Sequence, residues 1–274
     1  MDSLLFGTAG IPLSTQPRDT LHGIEQVSKL GLHAMELEFV HSVNISKQTA
    51  PVVKEQSEKF NVVLTCHGQY YINLNAIENK KIKESCERIL NAARIADACG
   101  AWSLCFHAGF YLKMEKEVVY DNIRKQLKEI TSTLKQENNK IWLRPELTGK
   151  QTQFGDLKEL IKLSSELEQV APCIDFSHYY ARTNGKQDYE KILEAVEKYL
   201  GKTALHNMHM HFSGIAFSEK GEKNHLTLQE SGFDYKKLIK ILKDFNVRGV
   251  LISESPNIEK DALVMHESFN KYDG

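Results

Sequence analysis

The stretch VVLTCHGQYYINLNAIENKKIKESCERILNAARIADACGAWSLCFHAG, residues 62–109, holds one complete structural repeat and decides how the rest of the chain is read. It opens on a short apolar, β-branched run, Val62–Cys66, and closes on a second run, Trp102–Phe106. Between them, Asn79–Cys99 carries Ile82, Cys86, Ile89, Ala93 and Ala96 at alternating steps of four and three, the period of one helix face. Gly100 follows where a helix C-terminal cap places it. Strand, helix and strand in this order make a βαβ unit, which demands a parallel sheet.

The same alternation extends in both directions. Further strands are expected at Leu4–Phe6, Ala34–Val40, Ile141–Leu143, Val170–Asp175, Asn207–Phe212 and Gly249–Ser253. Helical periods fill Val118–Lys135, Asp156–Leu167, Tyr189–Leu200 and Tyr235–Phe245. About eight strands, each followed by a helix, is the count of a closed (β/α)8 TIM barrel. An open doubly wound sheet is the rival, but no G-x-G-x-x-G or Walker-type loop occurs. No linker or low-complexity segment interrupts the pattern, so a single domain over residues 1–274 is expected.

Composition narrows the class. The 274 residues are 41% hydrophobic and 26% charged, with 16 Gly and 6 Pro, which excludes a fibrous or disordered chain. Lys and Arg number 35 against 36 Asp and Glu, a net charge of -1, so no basic coat surrounds the protein. No apolar run approaches a membrane span, and the opening MDSLLFGTAG lacks a basic leader with a hydrophobic block. Cys66, Cys86, Cys99, Cys105 and Cys173 are odd in number and form no C-x-x-C pair, which fits buried free thiols in a reducing compartment. A cytoplasmic location, no membrane contact and no obligate protein partner are expected.

Active sites of barrels lie at the C-terminal ends of the strands. The third strand ends on His67, the fourth on His107 and the fifth on Glu146. The sixth ends on Asp175 with His178 just beyond, the seventh offers His209 and His211, and the eighth gives Glu254. Taking His211, successive spacings are 40, 39, 29, 36 and 43 residues, close to one βα repeat each. One histidine at a strand end is more often a hydrogen-bonded core residue than a ligand. Six consecutive strands delivering His, Asp or Glu to one rim is a different matter: it reads as a metal site. Nitrogen and carboxylate donors suit Zn, Mn or Fe, and more than four ligands imply two or three ions. A carboxylate such as Glu146 can bridge two of them, and clustered divalent ions suit phosphodiester hydrolysis.

Aromatic pairs follow the rim histidines: Tyr70 and Tyr71, Phe110 and Tyr111, Tyr179 and Tyr180. They read either as loop packing or as a surface that stacks on bases. Lys150, Arg182, Lys220 and Lys223 lie in the same loops, as phosphate contacts or as solvated charges.

These motifs resemble the endonuclease IV family, zinc-dependent apurinic/apyrimidinic endonucleases, from about His67 to Glu254. The likeness rests on HGQYYINL at 67–74, FHAG at 106–109, PELTGKQTQFG at 145–155, CIDFSHYYA at 173–181 and ISESP at 252–256. The resemblance implies one Zn2+ on His67, His107 and Glu146, and a second on Glu146, Asp175, His211 and Glu254. It implies a third on His178 and His225, with Glu146 and Glu254 at the chemistry. Two to three zinc ions, or Mn2+, are thus expected. His209 is the alternative to His211. The family's D-x-H is replaced by GEKNH at 221–225, with Lys223 at the aspartate position and Glu222 as the alternative carboxylate. The family's DNA-contacting arginine loop is not recognisable in EFVHSVNIS at 38–46. The implied substrate is double-stranded DNA with abasic lesions, incised 5′ of the lesion in base excision repair, with Tyr70, Tyr71, Arg182 and Lys223 as DNA contacts. The rival function is a single-metal sugar isomerase or epimerase of the xylose-isomerase-like barrels, for which Glu146, Asp175, His211 and Glu254 suffice.

Overall fold

A computed structural model describes residues 1–272. Its strands are β1 (Leu4–Ala9), β2 (Ala34–Glu38), β3 (Val63–His67), β4 (Ser103–Phe106), β5 (Trp142–Pro145), β6 (Cys173–Asp175), β7 (Met208–Phe212), β8 (Gly214–Ser218), β9 (Gly221–Leu226) and β10 (Gly249–Ser253). Helices intervene as α1 (Thr20–Lys29), α2 (Ala50–Phe60), α3 (Asn79–Ala98), α4 (Lys116–Gln136), α5 (Leu157–Glu166), α6 (Phe176–Arg182), α7 (Tyr189–Leu200), α8 (Lys202–Leu205), α9 (Tyr235–Asp244) and α10 (Glu259–Lys271). Eight strands pair in parallel in the order β5-β4-β3-β2-β1-β10-β7-β6. Single bridges from Leu143 to Val170 and from Glu146 to Cys173 close β5 onto β6. The fold is the TIM barrel that the alternation of runs implies.

Every strand presents one phase outward and the other inward, the period of two that a pleated strand imposes. Met208, Met210 and Phe212 of β7, Met35 and Leu37 of β2, and Leu104 and Phe106 of β4 join the large core beneath the helices. Each such side chain contributes about 1.5–3 kcal/mol by leaving water. The inward phase is layered. A small apolar cluster of Ala34, Val250 and Ile252, with Leu5, Val63 and Trp102 against it, fills part of the interior. Arg144 lies buried against Trp102 and donates to the carbonyls of Pro172 and Asn207. Buried polar residues, among them Glu36, Thr65, Ser103 and His209, come next. His67, Glu146, Asp175, His178 and His211 occupy the C-terminal mouth. Four of the cysteines are buried and Cys86 is half-buried, all five free, as expected.

Two strands differ from the sequence reading. The run Val170–Asp175 pairs regularly only over Cys173–Asp175, because Pro172 has no N–H to give and Gln169 turns the chain at φ 63°. Strand five shifts to Trp142–Pro145, since the Ile141 amide is taken by the Asn139 side chain. Two insertions at the mouth were not foreseen: the short helix α6 and the hairpin β8–β9. Asp175 starts α6 by accepting from the amides of Ser177 and His178, both at 2.7 Å. No helix among the described residues is long and apolar enough to cross a membrane.

Candidate metal centre

Glu146 stands at the centre. Its Oε2 is 3.3 Å from His67 Nε2 and 3.2 Å from His107 Nε2. Its Oε1 is 3.2 Å from both His178 Nδ1 and His211 Nδ1. His211 Nδ1 is also 3.3 Å from Glu254 Oε1, and His178 Nδ1 is 3.3 Å from Asp175 Oδ2. Burial alone would push the Glu146 carboxyl up, but the imidazoles of His107, His178 and His211 outweigh it and hold the group well below the usual carboxylate range. Burial likewise opposes a charge on His67, yet Glu146 lifts its pKa to about 10. Against the same cost of burial, Asp175, Glu146 and Glu222 raise His178, and Cys173 with Glu254 and Glu36 raises His211.

The donor set fits divalent cations. Glu146 Oε2 and Asp175 Oδ2 are buried without a hydrogen-bond partner, although imidazole nitrogens lie within 3.3 Å of each. Such groups converge on common points between them more than on one another. The nitrogens facing away are also engaged. His67 Nδ1 donates to the Gly68 carbonyl at 2.8 Å, and His225 Nδ1 to the Glu254 carbonyl at 3.1 Å. Each bond puts a proton on the remote nitrogen and leaves Nε2 with a lone pair toward the site.

A second group lies beside the first. His178, Glu222 and His225 bring one ligand atom each within 4.8 Å of one another, with His178 Nε2 3.5 Å from Glu222 Oε2. On a regular strand Glu222 and His225 would face opposite ways. A bulge in the hairpin, where Phe217 pairs with Glu222 but Ala216 with Asn224, inserts one residue into β9 and turns both to the same side. Lys223 is exposed on this strand, so it does not stand in for the carboxylate. Gly149 makes room: a Cβ there would come 2.7 Å from Glu222 Oε2 and 3.1 Å from the His178 ring.

A model of the xylose isomerase-like TIM barrels matches residues 24–271. The chain belongs to this family. It is 45% identical over 272 residues to an uncharacterized protein of Methanocaldococcus jannaschii, covering 98% of this chain and 97% of that one. It is also similar to a probable endonuclease 4 of Thermosipho africanus, at 23% identity over 206 residues, 69% of this chain and 71% of the relative. Among solved structures, a D-tagatose 3-epimerase-like protein superposes with TM-score 0.73 at 17% identity, covering 97% and 96% of the two chains. Endonuclease IV from Thermus thermophilus superposes with TM-score 0.72 at 18% identity, covering 97% and 100%. These likenesses show the fold, and both kinds of neighbour share it.

Within this xylose isomerase-like barrel, His209 and His211 share the inward face of β7, but only His211 reaches Glu146. His209 sits one layer deeper, 2.9 Å from Ser103 Oγ, and burial lowers its pKa to about 4. The remaining rim residues fall into two groups. Arg182 Nη1 donates to the carbonyls of Thr148, Lys150 and Gln153, so its guanidinium closes the loop after β5. Tyr180 is buried against Phe217 and Phe233, Tyr179 donates to Asp188 at 2.7 Å, and Tyr111 is buried with its hydroxyl on Glu159. Those three tyrosines pack the loops. Tyr70 and Tyr71 stand apart, 55% and 61% exposed, with Tyr70 edge-on to His67 at 5.9 Å. Two carboxylates of β2 were missed, Glu36 and Glu38. Both lie on the inward phase, and the period of two along AMELE was the available signal.

Proposed function

We propose that this barrel is a polynuclear, metal-dependent phosphodiesterase that incises DNA on the 5′ side of abasic sites, like the endonuclease IV proteins it is similar to. The observation that carries the reading is the convergence of His67, His107, His178, Glu222 and His225 beside the quartet of Glu146, Asp175, His211 and Glu254. A single-ion enzyme has no use for the first five. His67, His107 and Glu146 would hold one zinc ion, Glu146, Asp175, His211 and Glu254 a second, and His178, Glu222 and His225 a third; Mn2+ is the other candidate metal. Bound there, the ions supply Lewis acidity that eases deprotonation of water and offsets charge on the attacking and leaving oxygens of a phosphodiester.

The chain's own groups do the rest. Glu146 spans two ligand sets and keeps them in register. Glu254 faces the open mouth, where its carboxylate can accept a proton from an attacking water. The exposed rings of Tyr70 and Tyr71 can fill a gap in a base stack, and an abasic nucleotide costs least to turn out of the duplex because its base is already gone. With a net charge of -1, grip on intact duplex should be weak and salt-sensitive.

The quartet Glu146, Asp175, His211 and Glu254 alone would serve a sugar epimerase, the second reading. One experiment separates the two. Metal-replete protein is incubated with abasic and intact duplexes, and separately with a panel of ketoses and aldoses. Incision 5′ of the lesion, leaving a 3′-hydroxyl and abolished by chelator, is the expected result. Sugar interconversion without strand incision would replace this reading with the epimerase.

A further inference from the structure

Glu36 is fully buried on β2, below the mouth, and belongs to none of the three ligand sets. Its Oε2 accepts from Thr65 Oγ1 at 2.8 Å and stands 2.9 Å from His209 Nε2. Its Oε1 is a buried ion-pair contact of His211 Nε2 at 3.0 Å and has no hydrogen-bond partner among the described residues. A buried carboxylate is costly to keep, and a neutral side chain could satisfy Thr65 and His209 equally well. The contact that needs a carboxylate is the one with His211.

The reason lies in where His211 sits. His67 and His225 have their remote nitrogens held by backbone carbonyls, because each is near a strand end where carbonyls are free. His211 is inside β7, between β6 and β10, and its neighbours' backbone groups are engaged in the ladder on both sides. No carbonyl is available to its Nε2, and beside the weakly bonding Cys105 Sγ at 3.7 Å the strong acceptor within reach is a carboxylate from across the barrel. That carboxylate is Glu36. A proton held on Nε2 leaves the lone pair on Nδ1, 3.2 Å from Glu146 Oε1 and 3.3 Å from Glu254 Oε1.

We infer that Glu36 is the positioning residue of the metal centre: it fixes His211 as the Nε2–H tautomer and aims its Nδ1 at the point shared by Glu146 and Glu254. This rests on the reading of His211 as a metal ligand. Carboxylates behind ligating histidines raise the basicity of the ring as well as orienting it.

The first test needs no variant. In zinc-loaded protein labelled with 15N-histidine, long-range 1H–15N correlation should show His211 protonated on Nε2, with Nδ1 at the shift of a coordinated nitrogen. A proton on Nδ1 would overturn the inference. The second test titrates Co2+ into Glu36→Gln and His209→Gln and follows the visible spectrum and the metal count. One site should weaken roughly 10–100-fold in Glu36→Gln, while the remaining sites keep wild-type affinity. His209→Gln should leave all sites near wild type, because the contact with His211 persists. Unchanged affinity in Glu36→Gln would overturn the inference and leave the metal reading standing. Wild-type protein that binds no divalent ion would remove both.

Discussion

Glu222 Oε2 lies 3.5 Å from His178 Nε2, and the hairpin bulge that achieves this leaves Lys223 in solvent. The change of backbone register thus brings Glu222, and not Lys223, beside His178 and His225. His225→Ala should cost one bound ion per chain and much of the turnover. Gly149→Ala should do the same, since its Cβ would press on both Glu222 and the His178 ring. Lys223→Ala should leave the metal count intact. Elemental analysis of the three variants decides; an unchanged count in His225→Ala would remove the third ion.

Glu146→Gln tests the shared carboxylate. The amide keeps the size but cannot balance two cations, and one of its hydrogens would point at an imidazole lone pair. Metal content should fall by more than one ion, and activity by more than about 100-fold, beyond what changes outside a ligand set produce. The barrel should remain folded by circular dichroism. Full activity in this variant would end the bridging role.

Much of this was legible in the sequence because it depends on one periodicity. His67, Glu146, Asp175 and His211 are inward residues of strands, and the strands were visible as apolar runs. The depth of a residue along the barrel axis was not visible. His209 and His211 are indistinguishable by phase, and only the stagger between β7 and its neighbours puts one at the mouth and the other beneath it. Glu36 escaped notice for the same reason: it works on a ring contributed by a strand far away in the sequence. The hairpin β8–β9 carries short polar runs without a clear alternation. Arg182 shows a further limit, since a loop arginine that binds carbonyls and one that binds phosphate have the same sequence signature.

Removing metal exposes the titration of the site. The folded pKa of His67, about 10, lies above its ordinary 6.5, so its contribution to stability is complete below pH 6.5 and is lost as pH rises through 10. His178 and His211 shift in the same direction. Chelator-treated protein should therefore melt at falling temperature from pH 6.5 to 10, while metal affinity rises over the same window because cations displace those protons. Calorimetric titration in two buffers of different ionisation enthalpy would count the protons released. A flat melting temperature over this range would contradict the assignment.

Glu38 moves in the opposite sense for an acid. Burial, with Glu36 beside it, pushes its carboxyl up to about 8 from 4.5. The folded state then holds a proton that the unfolded chain gives up, so this group removes stability as pH rises from 4.5 to 8. In chelator, Glu38→Gln should gain on wild type across that interval and keep the gain above pH 8. Denaturant melts at pH 5 and pH 8.5 provide the check. An equal difference at both values would assign the effect to packing.

Variants of Arg182, Tyr70 and Tyr71 separate loop packing from the proposed DNA contact. Arg182 is tied to the carbonyls of Thr148, Lys150 and Gln153, and these residues lead from Glu146 into the loop containing Gly155. Gly155 has φ 123°, and a Cβ there would stand 2.4 Å from the Glu146 carbonyl, so this loop is packed directly against Glu146. Arg182→Ala leaves several half-buried acceptors without a donor, at about 1–3 kcal/mol. It should lower the melting temperature and loosen metal, with no change in the salt slope of DNA binding, because it neutralises no phosphate. Tyr70→Ala and Tyr71→Ala should do the reverse. Their rings are exposed and contribute little to the core, so melting and metal content should hold while binding to abasic duplex weakens by about 1–3 kcal/mol per lost stacking ring. Fluorescence anisotropy at several salt concentrations, run beside melting curves, reads both effects. A reduced salt slope in Arg182→Ala would return that residue to the DNA surface, and undiminished lesion binding in Tyr70→Ala and Tyr71→Ala would leave the proposed stacking contact without support.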